Sequence, residues 1–168
     1  MAAANTYTPI ATVTLASNQS SDVIFTSIPS TYTDLYLVIN AGATTTNTDY
    51  AIRVNNDSGT NYSWTGLWGS GSGSGSLRGT AQDRYKMTYY GNLDTNLSGT
   101  IGQINFQNYS NTTTYKTMFG GSRNGATYGV YETVCLWRNT VAINQINILI
   151  SGTCLAGSTF SLYGITAA

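Results

Sequence analysis

The stretch Gln103-Ile104-Asn105-Phe106-Gln107 alternates amide and apolar side chains along the chain. Because a β-strand directs successive side chains to opposite faces of its sheet, this two-residue period predicts a strand with one buried face and one wet face. Residues 35–39, with the sequence Leu-Tyr-Leu-Val-Ile, are apolar on both faces of such a strand. We therefore expect residues 35–39 to form a central strand that is covered on both sides.

Segments of this kind recur between clusters of turn-forming residues, whereas the three- and four-residue spacing of an amphipathic helix is absent. The predicted strands cover residues 10–15, 23–28, 35–41, 50–54, 84–90, 101–109, 115–119, 127–137, 143–150 and 160–165. Residues 55–59 and 120–125 contain the Asn, Asp and Gly residues that favour tight turns. The sequence therefore predicts an all-β fold, an antiparallel β-sandwich of about eight to ten strands.

The chain has 168 residues, a length that suits a single domain. We expect residues 1–9 to form an N-terminal arm and residues 10–168 to form one β-sandwich domain. Residues 69–76 alternate strictly between Gly and Ser and offer no side chain that can be buried. Because strand-like sequence flanks this segment, it is predicted to be a long surface loop rather than a linker between domains.

Charge is the most unusual feature of the composition. Only 8% of the residues are charged, against about 25% in ordinary soluble domains, and the formal net charge is zero. A surface with so little charge lacks the repulsion that keeps free domains apart, which favours a protein covered by partners in an assembly. The seven Lys and Arg residues are scattered, so no nucleic-acid partner is expected.

Targeting and membrane signals are also missing from the sequence. The first residues have no basic region followed by an apolar region, and no apolar run approaches the roughly 18 residues of a membrane span. We therefore expect a protein made in a cytoplasm, with no membrane partner.

The residues needed for most catalytic chemistry are absent or isolated. The chain contains no histidine, which removes the commonest general base and metal ligand. The carboxylates are spaced singly, and no phosphate-binding glycine motif is present. Cys135 and Cys154 lack metal-ligand spacing and are predicted to be buried free thiols, because a single disulfide would not normally persist in a reducing cytoplasm. We expect neither an enzyme nor a cofactor nor a metal site.

Three aromatic residues, Tyr62, Trp64 and Trp68, fall at even spacing and would line one side of an extended segment. Two interpretations compete. The rings are core or subunit-interface residues, or they form an exposed platform on which sugar rings stack. The first is favoured because the neighbouring sequence does not supply the charged and amide groups that a glycan site usually adds.

Several blocks of sequence, in one order and spread over nearly the whole chain, resemble a family of short virion structural proteins of tailed bacteriophages, cyanophages among them. The blocks cover residues 7–12, 27–35, 61–64, 107–114 and 136–138, and the terminal Ser-Thr-Phe-Ser-Leu-Tyr-Gly-Ile at 158–165. The resemblance implies a phage structural protein with a jelly-roll-like β fold. It carries over no catalytic residue, and it does not distinguish a position on the capsid from one on the tail.

The function expected from these observations is that of a capsid decoration (cement) protein in the virion, made in the cytoplasm of the bacterial host. Its partners would be the major capsid protein and copies of itself in a homotrimer. The candidate contacts are Tyr7 and Pro9, in an arm that adds to a neighbour's sheet edge, together with Tyr62, Trp64 and Trp68. The alternative is a tail-fibre or receptor-binding tip that contacts host surface glycans; a polysaccharide depolymerase is a third class.

Overall fold

The computed structural model describes residues 6–46, 48–87, 93–97, 99–125 and 129–166. These residues form twelve strands and no α-helix. The strands are β1 (Tyr7–Thr14), β2 (Val23–Phe25), β3 (Asp34–Asn40), β4 (Tyr50–Val54), β5 (Tyr62–Ser70), β6 (Gly73–Gln82), β7 (Tyr85–Lys86), β8 (Thr100–Gln107), β9 (Lys116–Asn124), β10 (Gly129–Trp137), β11 (Ile146–Ile150) and β12 (Thr159–Ile165).

The strands form two sheets that pack face to face. The larger has eight strands in the order β1-β12-β3-β8-β9-β10-β5-β6, and the smaller has four in the order β2-β11-β4-β7. Each of these pairings is antiparallel, and the chain passes repeatedly from one sheet to the other. The predicted all-β, jelly-roll-like sandwich is confirmed, with twelve strands rather than eight to ten.

The core lies between the sheets and is built by the two-residue period of the strands. In β10 buried and exposed residues alternate strictly from Gly129 to Trp137. In β8 the alternation is also seen, since Ile104 and Phe106 are fully buried and Gln107 is exposed. The predicted strand with one wet face is therefore confirmed.

Strand β3 corrects one prediction. It lies between β12 and β8, inside the sheet as predicted, and its three inward side chains are fully buried. Tyr36 and Val38, however, are only half-buried, because they point to the face of the eight-stranded sheet that the smaller sheet does not cover. The prediction that both faces of this strand are covered is wrong.

The Gly-Ser segment is not a loop. It belongs to the hairpin of β5 and β6, which reverses at Gly71 and Ser72 because Ser70 pairs with Gly73. Trp64 pairs with Gly79 and Trp68 with Gly75, and the rings lie directly on these glycines. An added Cβ would stand 2.6 Å from the Trp64 ring at Gly79 and 3.0 Å from the Trp68 ring at Gly75. The glycines thus leave room for two indole rings, and the predicted loop at 69–76 is wrong.

The predicted N-terminal arm, residues 1–9, is also corrected. Tyr7 to Pro9 already belong to β1 and pair with the chain's own β12, not with a neighbour. The register shifts between Pro9 and Ala11, so β1 carries both a proline and a β-bulge. Because β1 is an edge strand, these two features protect it from pairing with another chain. Residues 1–5 lie outside the described residues.

The two predicted turns have different outcomes. The turn at 55–59 is confirmed, with Asn55 and Asn56 at φ values of +50° and +54°. The turn at 120–125 is wrong for residues 120–124, which continue β9. Gly120 is needed there for close approach, since an added Cβ would overlap the carbonyl oxygen of Gln103 on β8.

We predict that Gly120→Ala lowers the free energy of unfolding by about 1–3 kcal/mol, because a methyl group has to displace backbone. Gly71→Ala is the matched control, since an added Cβ there meets nothing within 4 Å. It should change stability by less than about 0.5 kcal/mol. Urea unfolding of the three proteins measures both values, and equal midpoints for the two variants would contradict the packing described for Gly120.

Candidate functional site

The predicted contact residues do not share one surface. Tyr62 is fully buried and stacks on Trp137, with ring centroids 6.4 Å apart. Its hydroxyl accepts a hydrogen bond from the Val54 N–H at 3.1 Å and donates to the Val54 carbonyl at 3.4 Å. Tyr62 is therefore a core residue, which confirms for this ring the core alternative of the favoured interpretation, whereas its prediction as a partner contact is wrong. Trp64 and Trp68, on the same strand, are half-buried.

Tyr7 and Pro9 lie at the other end of the eight-stranded sheet, on β1, where both are exposed. Tyr7 contacts Tyr36 of β3 edge to face, with ring centroids 6.0 Å apart. The five predicted residues are thus divided among one edge, the core and the opposite flank. Tyr62, Trp64 and Trp68 therefore do not form the predicted platform of three exposed rings.

The first candidate site is the outer face of the eight-stranded sheet, defined as the face directed away from the smaller sheet. Val134 of β10 lies between Phe119 of β9 and Thr65 of β5, and all three are exposed. Leu67 of β5 is 65% exposed. The large apolar residues exposed on this face are Tyr7, Leu67, Ile101, Phe119, Val130, Val134 and Leu136. Sequence reasoning missed this face, because alternation predicts polar residues at these positions.

The outer face carries little net charge. Its Arg123 and Glu132 side chains form an ion pair at 2.6 Å and so neutralise each other. Between β10 and β6 lies a depression of about 370 Å³ bordered by Val134, Leu136 and Arg78. A second depression, of about 190 Å³, borders the Arg123–Glu132 pair on the same face. A surface with exposed apolar side chains and such depressions is suited to contact with another protein that offers protruding side chains.

A second candidate site is a groove where the chain leaves β6 and enters β7 in the smaller sheet. It has a volume of about 320 Å³. We call it the charged groove. It is lined by Asp49, Tyr50, Ala51, Trp64, Gln82, Asp83, Arg84, Lys86, Leu149, Ile150 and Ser151. This groove combines aromatic, aliphatic, amide, hydroxyl and charged groups within one concave surface.

Asp83 organises the charges of this groove. Its Oδ2 accepts hydrogen bonds from Arg53 Nη2 at 2.9 Å and from Arg84 Nη2 at 2.7 Å, and its Oδ1 accepts one from Arg84 Nε at 2.9 Å. The hydrogen bonds from Arg84, with the positive charges of Arg84 and Arg53, lower the pKa of Asp83. The same pairing raises the pKa of Arg84.

The groove is also where charge is concentrated. The chain has only seven basic and seven acidic residues, and four of these line the groove while Arg53 contacts one of them. Sequence reasoning missed the cluster because Asp49, Asp83 and Ser151 come from distant segments. The charged and amide groups that the sequence did not place near Trp64 are brought there by folding.

The two cysteines are buried and free, as predicted. Burial raises the pKa of the Cys154 thiol to about 11 and also raises the pKa of Cys135. Both thiols are therefore protonated at neutral pH. Within the described residues, no three His, Cys, Asp or Glu side chains group closely enough to hold a metal ion. The same part of the chain contains no helix that is long and apolar enough to cross a membrane.

Comparisons with known proteins add no assignment. No protein-family model matches the chain, and no curated protein matches it.

We predict that Asp83→Asn lowers stability at pH 7 and that this loss is smaller at about pH 2. Because folding lowers the pKa of Asp83, its contribution is present above the unfolded-state pKa of about 3.9 and is lost as the pH falls through the lower folded value. Solvent screening of this half-exposed pair limits the effect to roughly 1 kcal/mol. Urea unfolding at both pH values measures it, and a variant as stable as the wild type at pH 7 would contradict the pairing.

Proposed function

We propose that this chain is a structural protein of a tailed-bacteriophage particle, namely a capsid decoration (cement) protein that docks onto the head through the outer face of its eight-stranded sheet. The observation that carries the proposal is the set of exposed apolar side chains around Phe119 and Val134. Monomeric soluble proteins rarely leave contiguous apolar surface of large extent exposed, and such surface commonly marks a contact with another protein.

The chemistry of the outer face favours an extended and uncharged protein surface as the occupant. Burial of apolar area contributes a gross gain of roughly 25 cal/mol per Å², and only the surplus over the costs of association appears as affinity. A sheet face of this composition therefore favours docking that is driven mainly by apolar contact. Arg123 and Glu132 neutralise each other, so the exposed Arg78 at the β6 side of the face is a charge that a partner has to match or leave in solvent. We propose that this face binds the outer surface of the major capsid protein.

Repetition on a lattice supplies the strength of such a contact. Each copy would bridge neighbouring capsomers with modest free energy, and many copies together would resist the pressure of packaged DNA. We also retain copies of this chain as partners, in a homotrimer that matches the three-fold positions of an icosahedral lattice. Low charge supports this arrangement, since only 8% of residues are charged and the formal net charge is zero, so copies repel each other little.

A non-enzymatic role is part of the proposal. The chain has no histidine, and both of its thiols are buried and protonated at neutral pH. These features support a protein that acts by packing rather than by catalysis.

The alternative is a tail-fibre or receptor-binding tip, favoured by the charged groove, in which Trp64 meets polar groups able to hold a glycan. The two functions differ in where the protein sits on the particle. Gradient-purified particles of the virus that encodes the chain should contain it by mass spectrometry, and antibody labelling should mark the head. Label confined to the tail would establish the alternative, and absence of the chain from particles would reject both.

We predict that Val134→Lys weakens binding to heads stripped of this protein by at least about tenfold, because docking would bury an unpaired ammonium group. Ile24→Lys is the matched control, since both residues are 47% exposed and Ile24 points outward from the smaller sheet. Co-sedimentation with stripped heads measures binding, and circular dichroism checks that both variants fold. Wild-type binding by Val134→Lys, or equal loss in both variants, would argue against docking through the outer face.

A further inference from the structure

We infer that the charged groove is a binding site for a neutral saccharide unit, a function that goes beyond capsid docking. The groove shares no lining residue with the exposed apolar set of the outer face. Trp64 borders both the groove and the depression of the outer face, so the two sites adjoin there. The apolar residues assigned to docking lie outside the groove, so one chain has surfaces for both functions.

The walls of the groove match the two kinds of surface on a sugar ring. A pyranose presents an apolar C–H face and a rim of hydroxyl groups. The Trp64 ring, held flat on Gly79, and the aliphatic chains of Leu149 and Ile150 supply apolar surface. Aromatic rings are well suited to such faces, because they offer rigid apolar area with little loss of side-chain freedom.

The polar groups of the groove are held in place before a ligand arrives. Both Asp83 oxygens are fixed by guanidinium groups, and Gln82 Nε2 donates to the Thr80 carbonyl at 2.9 Å, which orients the amide. Ser151 Oγ accepts from the Asp49 N–H at 2.8 Å. Groups that are already oriented lose little freedom on binding, which is how small polar ligands gain affinity.

The charge balance of the groove selects among ligand classes. Two carboxylates and two cations line the groove, namely Asp49, Asp83, Arg84 and Lys86. Arg53 adds a third positive charge beside Asp83. The carboxylate of Asp22 adds a third negative charge near Arg84. With three charges of each sign, the groove has no excess charge to attract a phosphate or a cationic peptide. It instead offers donors and acceptors side by side. A hydroxyl group both donates and accepts a hydrogen bond, so a polyol can use both kinds of partner.

The Trp64 ring also carries an unsatisfied donor. Its Nε1 is buried against Gly79 and has no hydrogen-bond partner among the described residues. A buried donor left unpaired is costly, so a shift of the ring that brought Nε1 to a ligand oxygen would remove that cost. The volume of about 320 Å³ lies at the small end of ligand pockets, which fits one or two sugar units of a longer glycan.

The test uses the indole N–H signals of the full chain labelled with ¹⁵N. The three tryptophans give three signals, which Trp→Phe variants assign. The probes are the methyl glycosides of glucose, galactose, mannose and N-acetylglucosamine, each titrated to about 50 mM so that a millimolar site saturates. We expect at least one glycoside to shift the Trp64 signal while the signals of Trp68 and Trp137 stay in place.

Two variants test the residues that carry the inference. Trp64→Phe keeps an aromatic ring but removes the N–H, and the half-exposed Arg84→Gln removes the clamp on Asp83. Each variant should lower glycoside affinity at least tenfold. The affinity of these variants is measured from the shifts of the backbone amide signals of the groove. Trp68→Phe, on the same strand but outside the groove, should bind as the wild type does.

Several outcomes would overturn the inference. They are a Trp64 signal that none of the four glycosides moves, undiminished affinity in both groove variants, and equal loss in Trp68→Phe. Acetyl-arginine amide and inorganic phosphate are titrated in parallel. A shift caused by either of these probes, without one from any glycoside, would identify a peptide or anion site instead.

Discussion

The two sheets of this protein differ in width by a factor of two, and most of its other features depend on that mismatch. The four-stranded sheet covers only part of one face of the eight-stranded sheet. The inward side chains of the larger sheet are therefore most buried in its central strands, and several inward side chains of β1 and β5 are only half-buried. Burial of the central rows provides the dominant stabilisation, because apolar area removed from water is the main favourable term in folding. Two surfaces of the large sheet stay uncovered: its outer face and the flank formed by β5 and β6. These are the two surfaces available to bind a partner or a ligand.

The flank formed by β5 and β6 shows how the chain fills space beyond the smaller sheet. The rings of Trp64 and Trp68 lie against glycines of β6. They cover the inward face of this hairpin, where the smaller sheet has no strand. Where β6 ends, the chain turns into β7, and two arginines pair with Asp83: Arg53 from β4 of the smaller sheet and Arg84 from the turn itself. The charged groove forms at this corner. The outer face, by contrast, is regular sheet, and its unusual property is chemical, because apolar side chains stand where a solvated sheet carries polar ones.

The sequence predicts those features that depend on neighbours along the chain. The alternation at 103–107 specified a strand with one wet face, and Asn55 and Asn56 specified a turn, because side-chain direction and backbone preference are local properties. Features that depend on partners across the sheet could not be obtained in this way. Alternating Gly and Ser suggested a flexible loop, since nothing in that segment shows that Trp64 and Trp68 lie on its glycines. The cluster around Asp83 was equally hidden, because Asp49 and Ser151 reach it through tertiary folding alone.

The central claim is that the outer face of the large sheet is a docking surface within a virus particle. Imaging of whole particles by electron cryomicroscopy, with the fold fitted to the density, tests it most directly. The account predicts density for the chain on the outside of the head, with Phe119 and Val134 against the major capsid protein and the charged groove open to solvent. A fitted orientation that leaves the outer face in solvent and docks the smaller sheet would contradict it.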